Sequence, residues 1–361
     1  MQNELSGNSE QKAHREDFAS GTLYGIAMEE MKDYIEVYLE LTRQTKGLTD
    51  ISANNVESIE QKIVVLGGLG SLLDPYQVSS EAVVQEWQHM RAIPFSIEQA
   101  ITKGVYIRLR DRSEKLLNQL WQVTAGFTKF GASYISANPY MLPILQRLAN
   151  ISSKAQLKER IGSVSDNHIS APAAERLAQL LNLLQPGKTL ERAQILQSIE
   201  PTLEGIVRDL VGRILLESIV ANALDDANIQ YKRENEYNYI KGVVYDFRAD
   251  FLIPDENSPK AFIEVRKSSS RHASLYAKDK MFSAINWKGK NKDLLAIVIV
   301  EDSWTAETLR VMAKVFDYVV PLNNVSDVAG AIYDYTHGDR SKLKWIIDFA
   351  VNPADLAIEG R

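Results

Sequence analysis

The chain has 361 residues, longer than a typical single domain and long enough for two. Hydrophobic residues make up 45% and charged residues 24%, which excludes a disordered or fibrous chain and leaves a globular one with a sizeable core. The absence of cysteine excludes disulfides and thiolate metal sites and fits a reducing, cytoplasmic setting, while the net charge of −6 gives no overall basic excess.

Residues 1–17 are polar and mixed in charge, with no apolar core like that of a signal peptide, and are expected to form a flexible tail. No stretch of about 18 apolar residues occurs, so no membrane span is expected. Residues 27–42 and 113–127 place apolar side chains at three- and four-residue intervals, which predicts helices, and Pro75, Pro94, Pro139 and Pro143 punctuate this half. The polar stretch 152–172 reads as a junction. A helix over 173–184 is stopped by Pro186-Gly187, and Thr189 is the expected N-cap of the next helix, 190–199. Residues 18–200 therefore predict an all-α N-terminal domain.

After Pro201 the pattern changes. A long helical stretch over 202–227 precedes three strand-like runs, 229–240, 243–253 and 260–267, with a proline-bounded turn at 254–259 between the last two. A helix over 275–287, a strand over 294–300, a helix over 304–315, a short strand over 318–322 and a helix over 325–335 follow. Three strands and then alternation predict an α/β domain over 201–345, a mixed sheet flanked by helices on both faces. Residues 358–361, Ile-Glu-Gly-Arg, read as an engineered protease-cleavage remnant.

Two of the strand-like runs each carry a carboxylate, Asp250 before Phe-Leu-Ile-Pro and Glu264 within Ala-Phe-Ile-Glu-Val-Arg-Lys. Acids on adjacent strands can converge on one divalent cation, and oxygen ligands of this kind suit Mg²⁺, which keeps positions open for phosphate and water. Strand alternation puts Arg266 on the face of Glu264 and Lys267 on the other. Between residues 260 and 292 there are nine Lys/Arg and two Asp/Glu, a local excess of seven positive charges within an acidic chain. Metal, activated water and positive charge are the needs of phosphodiester hydrolysis. Asp246 shares strand parity with Asp250 and is its competitor.

Other signals are weaker. Lys103, Arg108, Arg110, Arg112 and Lys115, with Tyr106 among them, form either a DNA contact or a solvated face. Gly68-x-Gly70 lacks the third glycine of a dinucleotide loop, because position 73 is Leu. Gly187-Lys188-Thr189 lacks the leading glycine of a phosphate loop, because position 182 is Asn. The five histidines have no paired zinc spacing.

An acid on one strand followed by Glu-x-basic on the next, in this order of elements, resembles the PD-(D/E)XK nuclease superfamily, and within it the type II restriction endonucleases. The resemblance spans about 202–335. It implies a restriction-endonuclease-like fold and a sequence-specific, Mg²⁺-dependent endonuclease acting on double-stranded DNA. Asp250 and Glu264 would be the metal ligands, and Glu217 would be the further acid that the first helix of that fold often carries. It also implies a homodimer, with the helical half supplying dimer contacts, specificity contacts, or both. Arg266 departs from the family lysine: it remains protonated, so it can stabilise charge but cannot act as a general base. Arg266 in an electrostatic role, a bulge turning Lys267 inward, and Lys278 or Lys280 reaching over from the following helix all remain open, as does a DNA-binding protein that does not cut. Ser268, Ser269, Ser270, Arg271 and His272, with Lys278 and Lys280, are the candidate DNA contacts.

Overall fold

The computed structural model describes residues 22–163, 165, 167–268, 273–302, 304–348 and 350–352, with the backbone alone at Ser268, Ala273 and Asp302. Its class is mixed α/β. The chain divides into two compact units, one made of the described residues up to Tyr34 with Ser58–Ile214, the other of Ile35–Glu57 with the described residues from Leu215 onward. Two of the three boundaries, after Tyr34 and after Ile214, fall inside helices, whereas the sequence pattern places a single change of character at Pro201. No described helix is long and apolar enough to cross a membrane.

The first unit is helical. Helices α2 (Ile59–Gly68), α3 (Ser80–Met90) and α4 (Ile97–Val123) each begin after a serine, Ser58, Ser79 or Ser96, whose side chain accepts a backbone N–H of the first turn. Gly68 lets α2 approach the segment before α4: a β-carbon there would lie 2.2 Å from the Phe95 ring. Helices α5 (Ala132–Ala137), α6 (Leu142–Leu148), α7 (Lys154–Ile161) and α8 (Ala171–Leu184) follow, so the expected junction over 152–172 contains a helix of its own. Thr189 is not an N-cap. It closes a 3₁₀ turn, with its own N–H donating to Pro186 O at 3.1 Å, and the next helix starts at Arg192. Gly187 packs where a β-carbon would lie 1.7 Å from Gly126 O, so its glycine serves close packing.

The second unit contains the latter half of α1 (Leu23–Gln44), the end of α9 (Arg192–Asp226) and a five-stranded sheet. The strands are β1 (Lys232–Arg233), β2 (Phe251–Ile253), β3 (Ala261–Ser268), β4 (Leu295–Asp302) and β5 (Tyr318–Pro321), in that spatial order. β1, β2 and β3 pair antiparallel, while β3, β4 and β5 are parallel. Helices α10 (Ala273–Lys290) and α11 (Ala306–Met312) are the two crossovers, and α12 (Val325–Thr336) follows β5.

On one sheet face Leu252, Phe262, Ala296, Val298 and Val300 pack with Ala277, Ala284 and Trp287 of α10, the Phe262 and Trp287 rings meeting edge-on at 4.9 Å.

The strand-like runs 229–240 and 243–253 shorten to β1 and β2, and the start of the second is held by a side chain of α10. Asn286 takes the backbone groups that a strand ladder would use: its amide oxygen accepts Val244 N–H at 2.7 Å and its amide nitrogen donates to Tyr245 O at 2.8 Å. A β-carbon on Gly242 would lie 2.0 Å from that amide nitrogen, so the loop can be clasped this closely only with glycine there.

Candidate metal and phosphate site

The register of β2 and β3 builds the site. Phe251 pairs with Ile263 and Leu252 with Phe262, so one further step sets Asp250 opposite Glu264. The backbone around Asp250 is fixed on both sides. Tyr237 Oη donates to Ala249 O at 2.8 Å, and Asp250 O accepts Glu234 N–H at 3.1 Å. Both carboxylates are buried, and Glu264 is wholly so.

Arg266 bridges the pair. Its Nη1 donates to Asp250 Oδ2 at 2.8 Å and its Nη2 to Glu264 Oε2 at 2.5 Å. Asp250 Oδ2 also accepts Val265 N–H at 2.7 Å. Lys280 Nζ lies 3.3 Å from Glu264 Oε2. Strand parity thus holds for Arg266, and the pairing of β3 with β4 runs without a bulge from Ala261 to Ser268. Lys267 is exposed, on the opposite parity from Arg266 and level with Glu301 of β4, so the structure does not bring it to the acids.

Lys280 points inward, not outward as a DNA contact would. It shares a stripe of α10 with Ala277, Ala284 and Trp287, all buried, and its own side chain is 14% exposed. That three- and four-residue spacing is visible in the sequence and marks this lysine as facing the sheet. Lys278 lies on another face and is exposed. Ser269, Ser270, Arg271 and His272, and the side chain of Ser268, lie outside the described residues.

Burial raises the Glu264 carboxyl to about 7, outweighing the attraction of Arg266 and Lys280. Glu217, on α9, is half-buried. Its carboxyl is raised first by burial and then by the charge of Asp250, so it belongs electrostatically to the same cluster. Asp246 does not join it. That side chain is exposed and accepts Gly242 N–H at 3.1 Å, closing the loop on itself.

Among the described residues no group of three or more His, Cys, Asp and Glu is placed to hold a metal ion. Two carboxylates still fit Mg²⁺ in kind, since that ion takes one or two carboxylates and completes its shell with water and phosphate. The guanidinium of Arg266 lies between these two carboxylates and is bonded to both.

The basic cluster of the helical unit resolves into separate contacts. Arg108 pairs with Glu60, and Arg110 with Glu200 at 3.1 Å. Lys103 lines a cavity of about 610 Å³ together with Ser71, Tyr106 and Arg208, and burial pushes its ammonium below the usual lysine range. Arg112 and Lys115 are exposed. The chain matches no protein-family model, no curated protein and no solved structure.

Proposed function

We propose that the chain is a Mg²⁺-dependent deoxyribonuclease of the PD-(D/E)XK type, a sequence-specific endonuclease like the type II restriction enzymes. The observation that carries this reading is the meeting of Asp250 and Glu264 across the β2–β3 pairing, with Arg266 on both acids and Lys280 on Glu264. Asp250 and Glu264 would hold the ion, which when bound lowers the pKa of a water and polarises the phosphate. Arg266 offers a planar fork of donors that matches phosphate oxygens. Lys280 supplies, from the helix, the ammonium that the family motif places two residues after the second acid, and it stabilises charge on the attacked phosphate. Glu217 tunes the cluster from α9 through its own charge. A homodimer would present two such sites to the two strands of a palindromic sequence.

One observation favours a second reading, a DNA-binding protein that does not cut: Arg266 satisfies both acids at once. Incubation of the full chain with mixed-sequence duplex DNA, in Mg²⁺ and in EDTA, beside Asp250→Ala, separates the two. Discrete fragments that need both Mg²⁺ and Asp250 support the nuclease. DNA that shifts on a gel but stays intact establishes the non-cutting binder, and DNA neither bound nor cut overturns both.

A further inference from the structure

Arg266 lies where the proposed chemistry needs an exchangeable cation. One guanidinium reaches both candidate ligands, at 2.8 Å to Asp250 and 2.5 Å to Glu264, and Lys280 adds a second positive charge at 3.3 Å. A divalent ion entering beside these two carboxylates therefore meets positive charge already placed on both of them. A guanidinium at hydrogen-bond distance from Glu264 Oε2 and Asp250 Oδ2 competes with a divalent ion for these carboxylates and repels it.

The remaining contacts of this side chain show how it can leave. Its third hydrogen bond is to Val265 O, a neighbour on its own strand, at 2.6 Å, and the side chain is 25% exposed. Glu264 has no exposed surface, and Asp250 is further held by the Val265 N–H. The acids are therefore held in place, and the arginine is the most exposed member of the cluster, at 25% against 14% for Lys280 and 9% for Asp250. A phosphodiester is the partner it fits, because two parallel N–H donors pair with two phosphate oxygens as they do with carboxylates.

We propose that Arg266 is an internal counter-ion that keeps divalent metal off Asp250 and Glu264 until a DNA backbone phosphate takes its guanidinium. The proposal rests on the nuclease reading of these two acids and adds its regulation. Phosphate and metal then bind with positive coupling: each removes the obstacle to the other, and the factor is the same in both directions. Free chain holds metal weakly, and DNA-bound chain holds it tightly.

The test is calorimetric binding of Mn²⁺, as the metal alone, to the full-length wild type, Arg266→Gln and Arg266→Lys, with circular dichroism to verify folding. Removing the guanidinium should raise Mn²⁺ affinity at least about tenfold in Arg266→Gln, equivalent to about 1.4 kcal/mol. Arg266→Lys should also gain, by a smaller factor, because one ammonium cannot span both carboxylates. It retains a positive charge beside the acids should Arg266→Gln fail to fold. Adding short duplex DNA should raise wild-type affinity by a similar factor, and Asp250→Ala in the Arg266→Gln background should abolish the gain. Mn²⁺ binding to wild type as tightly as to both arginine variants overturns the counter-ion role and leaves the metal site standing. No Mn²⁺ binding by any chain, with or without DNA, overturns both.

Discussion

The sheet unit carries two sets of buried charge, and they are built differently. Lys288 and Asp317 have side chains with no exposed surface and pair at 2.5 Å. Asp317 also accepts the backbone N–H groups of Ala296, Lys344 and Trp345, at 2.7, 2.7 and 2.8 Å. Desolvation pushes the Lys288 ammonium down and Asp317 pulls it back, so the pair is closed, saturated with donors and sealed from solvent. The Asp250–Glu264–Arg266–Lys280 cluster instead shares one cation, Arg266, between two acids, leaves Glu264 raised to about 7, and reaches solvent most through Arg266. A buried charge whose partners are complete fixes the fold. One whose partners are shared and reachable can exchange them, which a binding site requires.

The comparison can be broken at either end. The largest expected effect is at the closed pair. Asp317→Ala strands Lys288 without a counter-ion, and denaturant unfolding should show a loss of about 3–5 kcal/mol. A loss below about 1 kcal/mol would remove the distinction between fixture and site.

Next comes the pH response of Glu264. The folded chain keeps this proton up to about pH 7, whereas the unfolded chain gives it up near 4.5. The folded state binds more protons within that window, so this group's contribution to stability falls as pH rises through it, by on the order of 3 kcal/mol in total. Urea unfolding from pH 4.5 to 7.5 should show Glu264→Gln with a flatter profile than wild type. Parallel profiles would mean that Glu264 is already ionised at pH 4.5.

The two helix lysines sharpen the comparison further. Lys280→Met should lower DNA cleavage about a hundredfold, because it removes the ammonium beside Glu264. Lys278→Met should leave the rate within about twofold, as expected of a solvated charge. Equal effects, read as initial rates on plasmid DNA, would show that the inward stripe of α10 is not what distinguishes them.

The smallest effect is at the loop clasp. Gly242→Ala drives a β-carbon into Asn286 and Tyr245 O and should cost about 1–2 kcal/mol by thermal unfolding. An unchanged melting temperature would show that Asn286 does not hold the loop.

Much of the sheet unit was legible in the sequence, and its particular residues show why. β3, α10, β4, α11, β5 and α12 lie within a few residues of the apolar runs that predict them, because each run is bounded by polar or turn residues. The face of Arg266 followed from strand alternation alone. The run 243–253 reads as strand as well, but a single amide, Asn286, 41 residues away from Tyr245, claims the backbone groups of Val244 and Tyr245, and periodicity carries no trace of that. The division of the chain was hidden for a related reason. Helical spacing in α1 and α9 shows that a face is buried, but not that one helix serves one unit along part of its length and the other along the rest. Lys280 lay between these cases: its stripe with Ala277, Ala284 and Trp287 could be counted, yet a lysine in a basic stretch reads first as surface.

In the proposed reading, Asp250 and Glu264 form a metal site that DNA opens. A crystal structure of the full chain with duplex DNA and Ca²⁺, an oxygen-seeking ion like Mg²⁺, tests it most directly. The expected result is the ion bound by both carboxylates and the Arg266 guanidinium turned onto a backbone phosphate. DNA bound with Arg266 still bridging the two acids, and no ion on them, would contradict it.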